Sequence, residues 1–273
     1  MRENLVFLHG QVIVKPRIYA TDEGELTKAT FAVKVLRRPF IDAKGQMDSK
    51  LYFDCPIILT LSQEIIKKAA ELRMNDMVDI RGVLTTREVV KSTICACGHK
   101  NSNPGNTVYI TPIYLCRREQ EIPPEEGLRL LKERNEISNL IICIGTLCRD
   151  PDFFERDDQG KKRRNIQYQL AVNRKYHIRE DSSNVRTDYP WVKCFGAQAA
   201  QDRDCLHTGS SIYINGALQT REIMRTTTCE SCGAAYEWKD TATEIIPYSV
   251  EYLADCNLPE PTKREEGSED EKE

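Results

Sequence analysis

The chain repeats itself once, and this repeat restricts its possible folds more than any other feature. Asn4-Leu5 through Gly10 to Pro16 matches Asn139-Leu140 through Gly145 to Pro151 at an offset of 135. Further on, Gly82, Leu84, Thr86, Arg87 and Glu88 match Gly216, Leu218, Thr220, Arg221 and Glu222 at an offset of 134. Cys95 matches Cys229 at that same offset. Matches that keep their order over most of each half indicate two copies of one domain. The first copy is expected over residues 1–116 and the second over 137–256. Residues 117–136 join them; Pro123-Pro124 followed by a charged stretch with Leu128, Leu130 and Leu131 reads as a short helical linker. Residues 257–273 are polar and acidic and are expected to be a disordered tail.

Within each copy the pattern is mostly strand. Leu5 to Val14 and Leu140 to Leu147 are β-branched and aliphatic, and each is interrupted by a glycine, Gly10 or Gly145, that suggests a sharp bend. Phe31, Val33 and Val35 alternate along a second strand, as do Tyr168, Leu170 and Val172. After the third strand, Ile65, Ile66, Ala69 and Leu72 are spaced for one face of a helix. Met77 to Thr86 and Ser211 to Thr220 read as fourth strands, each continued by a projecting hairpin into a fifth. Three strands, a short helix and two more strands is the order of an OB-fold. The fold class is therefore all-β, two tandem five-stranded Greek-key barrels.

The third strand of copy two carries an unusual face. Side chains alternate along a strand, so Tyr189, Trp191, Lys193 and Phe195 share one side and Pro190, Val192 and Cys194 the other. Three aromatics with a lysine exceed what core packing requires. They suit a surface where bases stack and phosphates meet cations. Cations gather nearby: Lys161, Lys162, Arg163 and Arg164 in the loop between the first two strands, Arg174 and Lys175 beside Tyr176, and Arg221 and Arg225 on the fourth strand or its hairpin. In copy one, Arg37, Arg38 and Phe40 occupy the region equivalent to Tyr176, and Arg87 is equivalent to Arg221. Its third strand, Tyr52 to Leu59, has Asp54 and Pro56 and no basic residue, so copy two is expected to bind more tightly. The alternative for the aromatic set is burial in the core.

Several stretches of copy two resemble bacterial single-stranded-DNA-binding proteins: Asn139 to Gly145 with Arg149-Asp150-Pro151, Leu170 to Arg174, Thr187 to Gly196, and Gly209 to Arg221. Copy one shares the resemblance more faintly, at Gly10, Phe31 to Val35 and Gly82 to Glu88. The resemblance implies stacking roles for Tyr176, Tyr189 and Phe195, with Ile223 standing at a fourth position where the family has an aromatic. It also implies a homodimer, because family members with two OB-folds per chain assemble four folds in total. An acidic tail in this family recruits replication or repair proteins. This one ends Asp270-Glu271-Lys272-Glu273 and lacks the apolar tip, so a merely solubilising tail is an equal reading.

Both copies carry a cysteine pair just past the Thr-Arg-Glu segment, Cys95-Ala-Cys97-Gly98-His99 and Cys229-Glu-Ser-Cys232-Gly233. One pair cannot complete a four-coordinate structural metal site. The expectation is one zinc shared by Cys95, Cys97, Cys229 and Cys232, within a chain or across a dimer, with His99 as a spare ligand. Unmetallated hairpin cysteines are the alternative. The odd count of 11 cysteines and the lack of an opening secretory signal favour a reduced, cytoplasmic protein over a disulfide framework. No apolar run could span a membrane.

No phosphate-binding Gly-x-x-x-x-Gly-Lys run and no His-Glu-x-x-His occurs, and the four histidines are scattered, so an enzyme is not expected. The net charge of −3 looks unfavourable for nucleic acid. The tail accounts for it: seven acids against three bases there leave +1 for residues 1–256. The reading is single-strand DNA binding with little sequence preference. An OB-fold interaction module of a replication or conjugation assembly, or RNA binding by the same fold, remain as alternatives.

Overall fold

The computed structural model describes residues 2–39, 50–158, 161–174 and 187–257. Phe40, Lys175, Tyr176, the side chain of Lys161 and the acidic tail from residue 258 onward lie outside the described residues.

The first copy contains β1 (Asn4–Ala20), β2 (Leu26–Arg37), β3 (Tyr52–Asp54), β4 (Ile57–Thr60), α1 (Gln63–Ala70), β5 (Met77–Ile94) and β6 (Lys100–Glu119). Two short helices follow, α2 (Pro124–Glu133) and α3 (Asn135–Ser138). The second copy contains β7 (Asn139–Leu147), β8 (Asp152–Asp158), β9 (Lys161–Asn173), β10 (Thr187–Asp188), β11 (Trp191–Phe195), α4 (Gly196–Cys205), β12 (Ser211–Thr228) and β13 (Ala235–Ala254).

Each copy closes into a five-strand barrel. In the first, β1 pairs antiparallel with β2 and β5, β2 pairs with β4, and β5 with β6. A parallel contact of β4 with β6, Ile58 opposite Ile110, completes the ring. In the second, β7 pairs with β9 and β12, β9 with β11, and β12 with β13. The parallel β11–β13 contact closes it. Gly10 and Gly145 sit where the first strand of each barrel serves two partners at once: Gly10 opposes both Val35 and Val78, and Gly145 both Val172 and Ile212. A Cβ on Gly10 would lie 2.9 Å from the Val35 side chain, and one on Gly145 would lie 3.0 Å from Leu170. The close crossing therefore requires glycine.

Alternating apolar residues fill both interiors, including Phe31, Val33, Val35 and Ile58 in one and Tyr168, Leu170, Val172 and Val192 in the other. α1 opens on Ser62, whose side chain accepts from the Ile65 N–H, and it buries Ile65, Ile66 and Ala69. α2 is docked on the first barrel: its Leu131 packs with Leu36 and Met77.

The barrels are joined directly. β1 and β7 pair antiparallel, from Asn4 opposite Cys143 to Leu8 opposite Asn139. At the centre Val6 opposes Ile141, its own equivalent in the repeat, so a pseudo-two-fold axis passes between them. The chain thus makes internally a self-complementary contact of the kind that identical subunits make across a two-fold axis. Two further pairs cross symmetrically. Asp54 accepts from the Thr220 N–H at 2.8 Å, and Asp188 from the Thr86 N–H at 2.7 Å. Among the described residues no helix is long and apolar enough to cross a membrane.

Candidate nucleic-acid interface

β11 presents its two faces as the alternation requires. Val192 and Cys194 are buried, whereas Trp191 and Lys193 are half-buried and Phe195 is 50% exposed. Tyr189, just ahead of the strand, is 47% exposed. The aromatic set therefore faces outward. The Arg149 guanidinium lies 4.7 Å from the Trp191 ring centre, a cation–π contact that also brings positive charge to this face.

A cleft of about 460 Å³ runs along this face. Gln167, Gln169, Tyr189 and Trp191 form its floor. One wall is the second barrel's own β12–β13 ribbon, with Arg221, Ile223, Arg225 and Trp238. The opposite wall comes from the first copy: Lys91 of β5 and Asn103 to Asn106 of β6. Trp238 also lines a second cleft of about 550 Å³ on the first barrel's side, with Ile57, Val89 and Tyr109. Among the described residues the Trp238 indole N–H is buried without a hydrogen-bond partner. Sequence reasoning missed Trp238. Its alternation with Tyr236 and Asp240 along the returning ribbon was the available signal.

The cations are less available than their number suggests. Arg37 and Arg174 are 7% and 8% exposed and so cannot line a surface groove. Arg37 donates from Nε and Nη2 to Asp54 at 3.0 Å each, and Arg174 donates to Asp188 at 2.6 and 2.8 Å. These bidentate pairs orient the carboxylates that bridge the barrels, and a buried guanidinium needs such a partner. Arg221 makes a bidentate pair with Glu244 at 2.9 and 2.7 Å while remaining on the cleft wall. Arg225 and Lys91 reach the same carboxylate, Asp240, from opposite ribbons. Burial pushes the Asp240 carboxyl up, but hydrogen bonds from Lys91 and Arg225 outweigh it and hold it below the usual carboxylate range.

The basic run is not a loop as expected but the first part of β9, paired with the acidic β8. Lys162 and Arg164 meet Glu155 at 3.3 and 2.6 Å, and Arg164 and then Lys162 hold its carboxyl below the usual range. Arg163 shares a strand face with Gln167 and Gln169 of the cleft floor. Arg38 is exposed, its guanidinium 4.3 Å from the Tyr248 ring. Arg87 is half-buried on β5 and does not line either cleft. Lys193 and Phe195 continue the floor beyond the cleft, 5.9 Å apart from amine to ring centre.

The β5–β6 and β12–β13 ribbons lie side by side, and at their tips all four predicted cysteines come together. The sulfurs of Cys95, Cys97, Cys229 and Cys232 lie within 4.8 Å of one another. Cys95 and Cys232 are 3.7 Å apart across the ribbons, as are Cys97 and Cys229. Four thiolates at about 2.3 Å from a tetrahedral metal would sit about 3.8 Å apart, so the cluster can hold a metal ion. All four sulfurs come from one chain. Hydrogen bonds from the backbone N–H of Cys232, and then of Ser231, outweigh burial and bring the Cys229 thiol down to about 6. His99 is not part of the cluster. The other cysteines stand apart from it, with Cys143, Cys194 and Cys205 buried.

The sequence of residues 138–251 matches the single-strand binding protein family. No curated protein matches the chain by sequence. Among solved structures, a deletion mutant of the single-stranded DNA binding protein from Thermus aquaticus is similar over 95% of this chain and 98% of its own, with 18% identity and a TM-score of 0.58. The wild-type Thermus aquaticus protein is similar over 93% of this chain and 95% of its own, with 18% identity and a TM-score of 0.56. At that identity the likeness is one of fold, and it extends through both barrels.

Proposed function

We propose that this chain, whose residues 138–251 match the single-strand binding protein family, binds single-stranded DNA with little sequence preference and acts by covering it during replication, recombination, repair or transfer. The outward aromatic face of β11, open along a cleft whose walls carry Lys91, Arg221 and Arg225 paired with Asp240 and Glu244, carries this reading. Bases would stack on Tyr189, Trp191 and Phe195, each stack being worth about 1–3 kcal/mol. Arg163, Arg221 and Arg225 would meet phosphates, Lys193 would do so beyond the cleft, and Arg149 would join them from the Trp191 ring. Such a site binds and does no covalent chemistry.

The four cysteines would hold one structural zinc. Sulfur donors in a tetrahedral arrangement suit Zn²⁺ and leave no coordination position open for a substrate. A homodimer would bring four barrels together, and the acidic tail would contact replication or repair proteins.

Titration of full-length protein with oligo-dT at several salt concentrations, with the mass of the complex determined, tests function and assembly together. The logarithm of affinity should fall with the logarithm of salt by about 0.7 per phosphate contact, and the mass should show two chains. The internal pairing of Arg37, Arg174, Arg164 and Arg221 with carboxylates supports a second reading, an assembly module that binds nucleic acid weakly. Weak, salt-insensitive binding would favour that reading.

A further inference from the structure

We propose that metal occupancy of the cysteine cluster controls the single-strand cleft of the second barrel, by holding the first copy's ribbon in place as the cleft's far wall. The inference rests on the DNA-binding reading and on the zinc reading, and it goes beyond both by making one depend on the other.

The far wall has little else to hold it. Among the described residues β5 pairs with β1 only as far as Gly82 and β6 pairs with β4 only at Ile110, and past Gly82 Thr86 is tied to Asp188 and to the Tyr189 N–H. Beyond those points, among the described residues, β5 and β6 have strand pairing only with each other, up to Ile94 opposite Lys100. The same holds for β12 beyond Gly216, and for β13 before its contact with β11 at Glu244. A two-stranded ribbon in water is marginally stable alone. The wall residues Lys91 and Asn103 to Asn106 stand on such a ribbon.

The two ribbons are joined along their length mainly by polar side chains. Lys91 and Arg225 share Asp240, the hydroxyls of Thr93 and Tyr236 lie 2.5 Å apart, and the Thr227 hydroxyl donates to Asn103 at 2.7 Å. Partly solvated contacts of this type are individually weak. The cysteines differ in kind. Each ribbon supplies two, so a metal bound by all four must bridge the ribbons. Asn101 of the first ribbon braces the other side, accepting from the Glu230 N–H at 3.0 Å with its amide nitrogen 3.6 Å from the Cys229 sulfur. Cys97 and Cys232 are exposed, so a chelator can reach the cluster.

A metal at the tips therefore clasps the ribbons where side-chain hydrogen bonds are what otherwise join them. It thereby fixes Lys91 and the Asn103–Asn106 segment opposite Tyr189 and Trp191. Without it the barrels stay closed while the ribbons separate, and the cleft loses one side.

The experiment uses the full chain purified without chelator. Zinc is counted by mass spectrometry, and oligo-dT affinity is measured before chelation, after it, and after return of one equivalent of Zn²⁺. Hydrogen exchange follows the ribbons and the barrel strands in the same three states. The expected result is about one zinc per chain and about tenfold weaker DNA binding after chelation, the size of one lost hydrogen bond to a charged group such as Lys91. Zinc should restore it. Exchange should quicken at residues 87–108 and 221–243 while Val33, Val78, Leu170 and Ile214 stay protected, which separates ribbon opening from unfolding. A variant with all four cysteines replaced by serine should behave as the chelated protein and no longer respond to zinc. One zinc per chain with unchanged affinity after its removal would overturn the control and leave the zinc reading standing. Far less than one zinc per chain would overturn both. Zinc-loaded protein that does not bind oligo-dT would overturn the DNA-binding reading itself.

Discussion

At the residue scale, Asn4 and Asn139 each do with a side chain what a strand does with its backbone. The Asn4 amide donates to the Leu84 carbonyl and accepts from the Leu84 N–H, both at 2.9 Å. Asn139 does the same with Leu218, at 2.8 and 2.9 Å. Both asparagines are fully buried, so removing the amide leaves two backbone groups without partners or water. Asn139→Ala should therefore destabilise the protein by about 2–6 kcal/mol, at about 1–3 kcal/mol for each of the two buried groups left unsatisfied. Urea unfolding measures it. Phe195→Ala should act the other way round. Its half-exposed ring adds little to the core, so stability should hardly change while oligo-dT affinity falls about fivefold or more, the loss of one stacked base. A fall in the unfolding midpoint comparable to that of a core mutation would place Phe195 in the fold rather than in the binding face.

At the scale of elements, the β8–β9 hairpin shows how cross-strand neighbours decide which charges are usable. Four consecutive basic residues look like a single positive patch in the sequence. The register sets Glu155 opposite Arg164 and Asp157 opposite Lys162, and Glu155 takes up the charge of both Arg164 and Lys162. Arg163 lies on the cleft side. Arg163→Ala should weaken oligo-dT binding and lower the salt slope by about 0.7, one phosphate contact. Lys162→Ala should leave the slope nearly unchanged. Equal effects from the two substitutions would mean that the whole run meets the DNA.

At the scale of the whole molecule, the barrels share a strand pairing and two crossed aspartate contacts, and the second barrel's cleft borrows a wall from the first. The chain should therefore unfold as one cooperative unit, with calorimetric and van't Hoff enthalpies in agreement. Two resolved thermal transitions would show that the barrels fold independently. The sequence by itself determined a great deal here. The repeat announced two copies, the period-two alternation of Phe31, Val33 and Val35 and of Tyr168, Leu170 and Val172 announced barrel strands, and the face of Tyr189, Trp191, Lys193 and Phe195 was readable because alternation is a local property of a strand. The cysteine pairs could be matched because they occupy one place in the repeat. Only the tertiary structure decided that the four meet within one chain, that Arg37 and Arg174 are interior ion pairs, and that Lys91 and Asn103 to Asn106 face the second barrel's aromatics. The physical reason is the same in each case. Burial, ion pairing and shared walls depend on the register between segments far apart in the chain, and neither composition nor periodicity records which distant strands become neighbours.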